Sequence, residues 1–303
     1  MKKIFALSAL AVLLASGTAL ADTSGKKIAF SNNYAGNSWR QSMLQSWDKV
    51  GKQAIADKIV AAADPFTTAD KEAPTQAAQV QNLILQGYDA IVINSASPDA
   101  LNGAIKQACD AGIVVVSFDG IVTEPCAYRV VVDYEKMGKE EVEQMAKFQP
   151  KGGNLLEIRG LAGTSIDDAI HKGITEAVAA HPEFKIVGSV TGDWDQTTAQ
   201  KAGPTIIMGN RQDELQWWKE QKEKDGYQTW SGSIAPGVST LAFWVAQLVL
   251  DGHKDIPHDL IVPYLSFTQD NFEAALPDIP KGGVASHEYT QADALAAIKD
   301  NMK

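Results

Sequence analysis

From Lys27 onward, short apolar and β-branched runs alternate with stretches whose apolar positions recur at helical spacing, at intervals of about 25 to 30 residues. That alternation predicts parallel β-strand, α-helix, β-strand units. Four runs, Lys27 to Ser31, Ile59 to Ala63, Ala90 to Asn94 and Val114 to Phe118, are apolar nearly throughout, as strands covered by helices on both faces are. Helices are expected to begin between them near Ser38, Thr75 and Pro98. A second series follows, with strands at Asn154 to Ile158, Lys185 to Val190 and Thr205 to Met208 and a helix over Ser165 to Ala180. The segment Glu124 to Tyr134, with its run Val130-Val131-Val132, reads as a crossing between two halves of similar build. Gly237 to Leu250 is apolar enough to be a core helix.

One spacing breaks this scheme. Only 11 residues, Trp194 to Pro204, separate the strand and loop ending at Asp193 from the strand expected at Thr205. A parallel crossover needs a dozen or more. The helical start at Gln196 to Ala202 also runs into Gly203-Pro204, which cannot continue a helix. A strand and most of a helix are therefore expected to be missing between Ala202 and Gly203, about 30 residues by the usual size of such a unit.

The amino terminus has the three parts of a secretory leader: Lys2 and Lys3, an apolar run of about 12 residues from Ile4 to Ala15, and small residues ending at Ala21. The run is shorter than the roughly 20 residues that span a bilayer, so cleavage after Ala21 and a periplasmic location are expected. No cysteine follows the cleavage site to carry a lipid. Loss of the two leader lysines takes the formal charge from -10 to -12. An acidic surface disfavours nucleic acid and anionic lipid as partners. Cys109 and Cys126 are the only cysteines and flank the predicted strand Gly112 to Asp119. Export favours a disulfide between them over two buried thiols, and no CxxC spacing suggests redox chemistry or a metal site.

The chain contains no GxSxG elbow, HExxH, Walker loop or GxGxxG after its first strand. Its five histidines, His171, His181, His253, His258 and His287, are scattered. No catalytic residue, metal site or cofactor is expected. What stands out are polar and aromatic residues at the carboxyl ends of the strands, where open α/β sheets bind ligands. Asn32 to Arg40 joins amides, Tyr34, Trp39 and a guanidinium within nine residues; Asn94 and Asp119 end the next strands; Asp193-Trp194-Asp195 and Gly209-Asn210-Arg211 end strands of the second series. Carboxylates, amides and Arg bond hydroxyls that both donate and accept, and Trp39 and Trp194 can cover the apolar face of a sugar. Each residue also has a structural reading: Asn94 or Asp119 as a helix N-cap, a lone Trp as core.

The stretches IAFSNNYAGNSWRQSM (28–43), AIVINSASPDAL (90–101), VVVSFDG (114–120), IRGLAGTSIDDAIHKGI (158–174) and IIMGNRQDE (206–214) resemble periplasmic sugar-binding proteins of the ribose and galactose type, the type I solute-binding proteins of ABC transporters. The resemblance implies an α/β fold of two Rossmann-like lobes joined by a three-strand hinge, with ligand in the cleft between them. The lobes would comprise residues 22–128 with 236–265, and 129–235 with 266–303. Asn37, Trp39 and Arg40 would lie in the first ligand loop, with Asn94 and Asp119 bonding hydroxyls from the same lobe. Asp168, Trp194 and Asn210 would close from the other lobe, Asp168 with a slip possible within Ile166-Asp167-Asp168. The missing unit departs from the family pattern and would remove a ligand loop. The implied ligand is a monosaccharide or polyol, the implied partner an ABC permease, and the implied state a monomer. A ligand-presenting role toward a chemoreceptor is compatible with binding, and an exported enzyme acting on a small carbohydrate is the alternative of another class. A regulator of the lactose-repressor group would begin with a helix-turn-helix in place of the leader.

Overall fold

The structure, a computed structural model, describes residues 22–69, 72–161, 164–195, 197–199 and 207–302. The leader with its expected cleavage after Ala21, and the expected gap between Ala202 and Gly203, lie outside these residues.

The first lobe is built from β1 (Lys27–Asn32), α1 (Ser38–Ala56), β2 (Ala62–Thr67), α2 (Ala73–Leu85), β3 (Ala90–Asn94), α3 (Asn102–Asp110), β4 (Val114–Phe118) and β5 (Tyr128–Val131). Its sheet runs in the order β2-β1-β3-β4-β5, every pair parallel. The second strand sits later than its apolar run suggested, on Ala62–Thr67, because Ile59 and Val60 close the preceding helix and lead into the sheet. Being at the edge, it tolerates Pro65, which has no N–H to donate. β1 and β3 are buried almost throughout, as their unbroken apolar runs require. Phe30, Trp47 and Phe243 pack in sequence on one face of the sheet, the first pair tilted and the second edge to face, with centroids 4.8 and 5.4 Å apart. Ile91, Ile93, Leu83, Leu101 and Val115 pack the other.

The chain then crosses to the second lobe, with α4 (Tyr134–Phe148), β6 (Gly153–Arg159), α5 (Ser165–Ala180), β7 (Phe184–Thr191), β8 (Ile207–Met208), α6 (Gln212–Asp225) and β9 (Trp230–Ser233). α4 and α5 meet at backbone distance. A Cβ at Gly138 would lie 2.2 Å from the Ile170 carbonyl oxygen, and one at Gly173 2.0 Å from that of Glu135. α7 (Val238–Leu250) returns to the first lobe as the core helix its composition demands, packed on β3, β4 and α1. β10 (Asp259–Ile261) pairs in parallel with β5, and β11 (Leu265–Phe267) pairs antiparallel with β9. The last helix, α8 (Gln291–Asn301), puts Ala294 and Ile298 into the first lobe's core against α7 and β10. Its buried stripe thus groups the carboxyl end with the first lobe, where the expected boundary at 266 had grouped it with the second.

Among the described residues the strands of the second lobe form two sheets, β6-β7 and β8-β9-β11. In the first lobe β1 is flanked on both sides, by β2 and β3; its counterpart β6 pairs with β7 alone among the described residues. No helix among the described residues is long and apolar enough to cross a membrane.

Cys109, in α3, and Cys126, in the turn before β5, are disulfide-bonded with Cα atoms 6.5 Å apart. The bridge closes a short loop around β4 and lies on the apolar cluster of that face. A loop of this size restricts the unfolded chain by about 3 kcal/mol. Reduction, or replacement of both cysteines by serine, is expected to lower unfolding stability by about 2–4 kcal/mol in urea titrations; an unchanged midpoint would contradict this.

Candidate functional site

A cavity of about 1460 Å³ lies between the lobes, at the carboxyl ends of β1, β3 and β4 on one side and of β6 and β8 on the other. The parallel register Asn32–Asn94 and Ile93–Ser117 brings the first lobe's strand ends level, so that the loops after them share one rim.

Asp119 is the centre of that rim. It follows β4 directly and turns with φ of +55°, a left-handed conformation that Asp adopts more readily than most residues. Its carboxylate accepts from Asn94 Nδ2 at 2.9 Å and from the Tyr134 hydroxyl at 3.0 Å, and pairs with Arg40 Nη2 at 3.3 Å. It remains 9% exposed, on the cavity wall. A carboxylate offers about four acceptor directions, so three donors leave about one for a ligand. Asn94 is fully buried behind it; its Oδ1 accepts from Gly120 N at 3.1 Å, and it orients Asp119 from outside the cavity wall. Arg40 also donates to Asn32 Oδ1 at 3.1 Å and lies over the Trp39 ring at 5.4 Å.

The first loop divides its labour. Asn37 caps α1, accepting from Arg40 N at 2.8 Å. Trp39 Nε1 donates to the Ile234 carbonyl at 2.7 Å, so its ring is fixed at the cavity wall. Tyr34 lines the same wall. From the second lobe, Trp194 turns with φ of +56° and is 40% exposed. Its indole occupies the space over Gly160, where any side chain would collide with it.

Three of the expected residues do not line the cavity: Asn94, behind Asp119, and two others. Asn210 is 1% exposed, and its side chain is engaged with Leu265 O at 2.8 Å and Ser231 Oγ at 2.5 Å, binding β8, β9 and β11 together. Asp168 is on the outer face of α5, bonded to Arg159 at 3.0 Å and mostly exposed. Its neighbour Asp167 is the buried carboxylate there, accepting from Gly160 N and Arg159 Nη2.

Four further wall residues were not among the expected ligand-binding side chains, although Asn33 and Arg211 lie in strand-end stretches that stood out. Asn33 donates to Ser95 O at 3.3 Å, and its buried Oδ1 has no partner among the described residues. Arg159 has a buried Nε in the same condition. Both side chains line the cavity, although these two atoms are themselves covered. Tyr134 opens α4 and reaches back to Asp119; burial and the adjacent carboxylate push its phenol well above the usual range, so it stays a donor. Arg211, beside Asn210, donates from Nε to Ser38 Oγ at 3.2 Å, a bond between the lobes. The loop composition pointed to Asn33; the reach of Tyr134 and Arg211 depends on how the lobes face each other.

Glu141 lines the cavity further along α4, among apolar side chains and near Glu157. Desolvation, with the negative charge of Glu157 added, pushes its carboxyl up to about 8. Glu157 itself is held by His171 Nδ1 at 2.7 Å and the Ser189 hydroxyl at 3.0 Å.

Residues 28–213 match the periplasmic binding protein domain family. The chain is 30% identical over 135 residues to the xylitol-binding protein of Mycolicibacterium smegmatis, covering 44% of this chain and 39% of that protein. It is 32% identical over 153 residues to the ribose import binding protein of Salmonella typhimurium, covering 49% of this chain and 50% of that protein. It thus spans half or less of the length of these relatives. Its fold superposes on an ABC transporter solute binding protein from Thermobispora bispora with a TM-score of 0.83 and 26% identity, over 91% of this chain and 96% of that one.

A carboxyl raised in the folded state favours folding fully below its unfolded value of 4.5, and that contribution is lost as pH rises through about 8. Glu141→Gln is therefore expected to gain stability relative to the parent between pH 5 and pH 9, measured as urea midpoints at both. A difference that does not change with pH would show that Glu141 is not desolvated in this way.

Proposed function

We propose, for a chain that belongs to the periplasmic binding protein domain family, that the interlobe cavity binds a monosaccharide or polyol for delivery to an ABC permease. The periplasm is the location proposed with it, reached by export and removal of the leader after Ala21. The observation that carries the reading is the Asp119 cluster. A carboxylate held by Asn94, Tyr134 and Arg40 at the sheet's carboxyl edge faces a cavity walled by Trp39 and Trp194. Asn33 and Arg159 add polar side chains to the same wall.

In this reading Asp119 accepts from a ligand hydroxyl, and Arg40 and Arg159 donate. Trp39 and Trp194 cover the C–H faces from opposite lobes. Asn94 acts as a positioning residue, and Asn37 holds the loop that carries Trp39 and Arg40. Closure about the hinge, the motion for which periplasmic binding proteins are the standard example, would bring Trp194 and Arg211 onto ligand already seated on the first lobe. A permease would then meet the closed form. Xylitol and ribose, named for two relatives, are the first compounds to try.

Asp119→Ala removes the acceptor and leaves Arg40 and Tyr134 without their partner, so it is expected to weaken binding by about 1.5–3 kcal/mol, about tenfold to a hundredfold or more in Kd. Trp194→Ala is expected to lose about 0.5–1.5 kcal/mol of ring contact. Isothermal calorimetry with the best ligand of a thermal-shift screen measures both, with circular dichroism confirming the fold. Folded variants that bind as tightly as the parent would remove this cavity as the site.

A further inference from the structure

The cavity is larger and less polar than a monosaccharide needs. Its volume of about 1460 Å³ exceeds the roughly 300–1,000 Å³ of an ordinary small-ligand pocket. The excess lies in the second lobe, where β6 pairs with β7 alone among the described residues and the space beside its free edge joins the cleft.

Two helix stripes wall this chamber. On α4, Tyr134, Met137, Glu141, Val142 and Met145 fall on one face, and all line the cavity. On α5, Ile166, Ile170 and Ile174 follow at four-residue intervals and line it too. The α4 stripe starts at the ligand rim, because Tyr134 bonds Asp119. Eleven residues later Met145 lies about 16 Å farther along the helix axis, at 1.5 Å per residue. The two helix stripes are apolar over that length except at Glu141, whose carboxyl burial pushes up to about 8, and β6 adds Leu155, Leu156 and Ile158 with Glu157 and Arg159 toward the rim. The polar rim and the apolar chamber are therefore one continuous space with hydroxyl-binding groups at one end.

We infer that the ligand is amphiphilic, a glycoside whose sugar seats on the Asp119 rim and whose apolar aglycone occupies the chamber between α4, α5 and the edge of β6. The inference rests on the sugar-site reading above and adds the substituent. Burial of a ring against Met145, Ile170 and Ile174 supplies affinity that a free sugar lacks.

Calorimetry on the intact protein compares D-galactose with phenyl β-D-galactopyranoside, and D-xylose with phenyl β-D-xylopyranoside. At least one phenyl glycoside is expected to bind tenfold or more tighter than its parent sugar, and that ratio is expected to shrink in Met145→Gln and in Ile170→Thr. Two variants on different helices guard against one that misfolds. Free sugars that bind as tightly as their glycosides, or a ratio undiminished in both folded variants, would overturn the amphiphile while leaving the sugar site standing. Absence of binding by all four compounds would overturn the glycoside, and absence of binding by xylitol and ribose as well would overturn the site reading with it.

Discussion

Asp119 is held from three directions: by Asn94 at the end of the neighbouring strand, by Arg40 from the first helix and by Tyr134 from the first helix of the other lobe. The last bond makes the residue a junction. The sheet of one lobe and the helix that begins the other meet at a single carboxylate, so the geometry of the ligand rim and the relative placement of the lobes depend on the same group. Arg211 adds a second tie, from its guanidinium to Ser38 at the start of α1. Hydrogen bonds to a charged group are directional, and at a nearly buried carboxylate, loss of one partner leaves the others undercompensated. The cleft is thus a polar seam with its donors and acceptors already in position.

The two lobes differ in how completely their sheets are built. The first has a continuous parallel sheet packed on both faces, stapled by the Cys109–Cys126 bridge. The second carries two small sheets, and the edge of β6 opens into the cavity. That asymmetry divides the binding surface as well. Most of the directional polar groups are on the first lobe, while the second offers Trp194, Arg159 and Arg211 at its rim and an apolar wall behind them.

Much of the first lobe was legible because a strand buried on both faces leaves an unbroken apolar run: β3 and β4 fall on the runs Ala90 to Asn94 and Val114 to Phe118. The edge strand β2 was misplaced because half of it is exposed and carries Asp64 and Pro65, while before it Ile59 N bonds back to Ala54 O of α1 and Val60 is buried in the core. Strand ends told which residues reach the rim and not which way they face. Asn94 and Asp119 end adjacent strands, yet the left-handed turn at Asp119 leaves its carboxylate on the cavity wall and Asn94 behind it. Asn210 makes a similar turn, at φ of +64°, and is consumed by Ser231 and Leu265. Asp167 and Asp168 differ by one helical step, which is enough to bury one and expose the other. Tyr134, Glu141 and the α4 stripe had no local signature, since their neighbours come from the opposite lobe or from the sheet edge.

The most direct test of the ligand rim at Asp119 is amide hydrogen exchange, read by mass spectrometry with and without saturating amounts of the tightest-binding sugar. The account expects slowed exchange in the peptides that contain Asn33 to Arg40, Asn94 to Ser97, Asp119 to Ile121 and Tyr134, and smaller slowing around Trp194 and Arg211. Protection confined to other surfaces, with these segments exchanging as in the free protein, would contradict it.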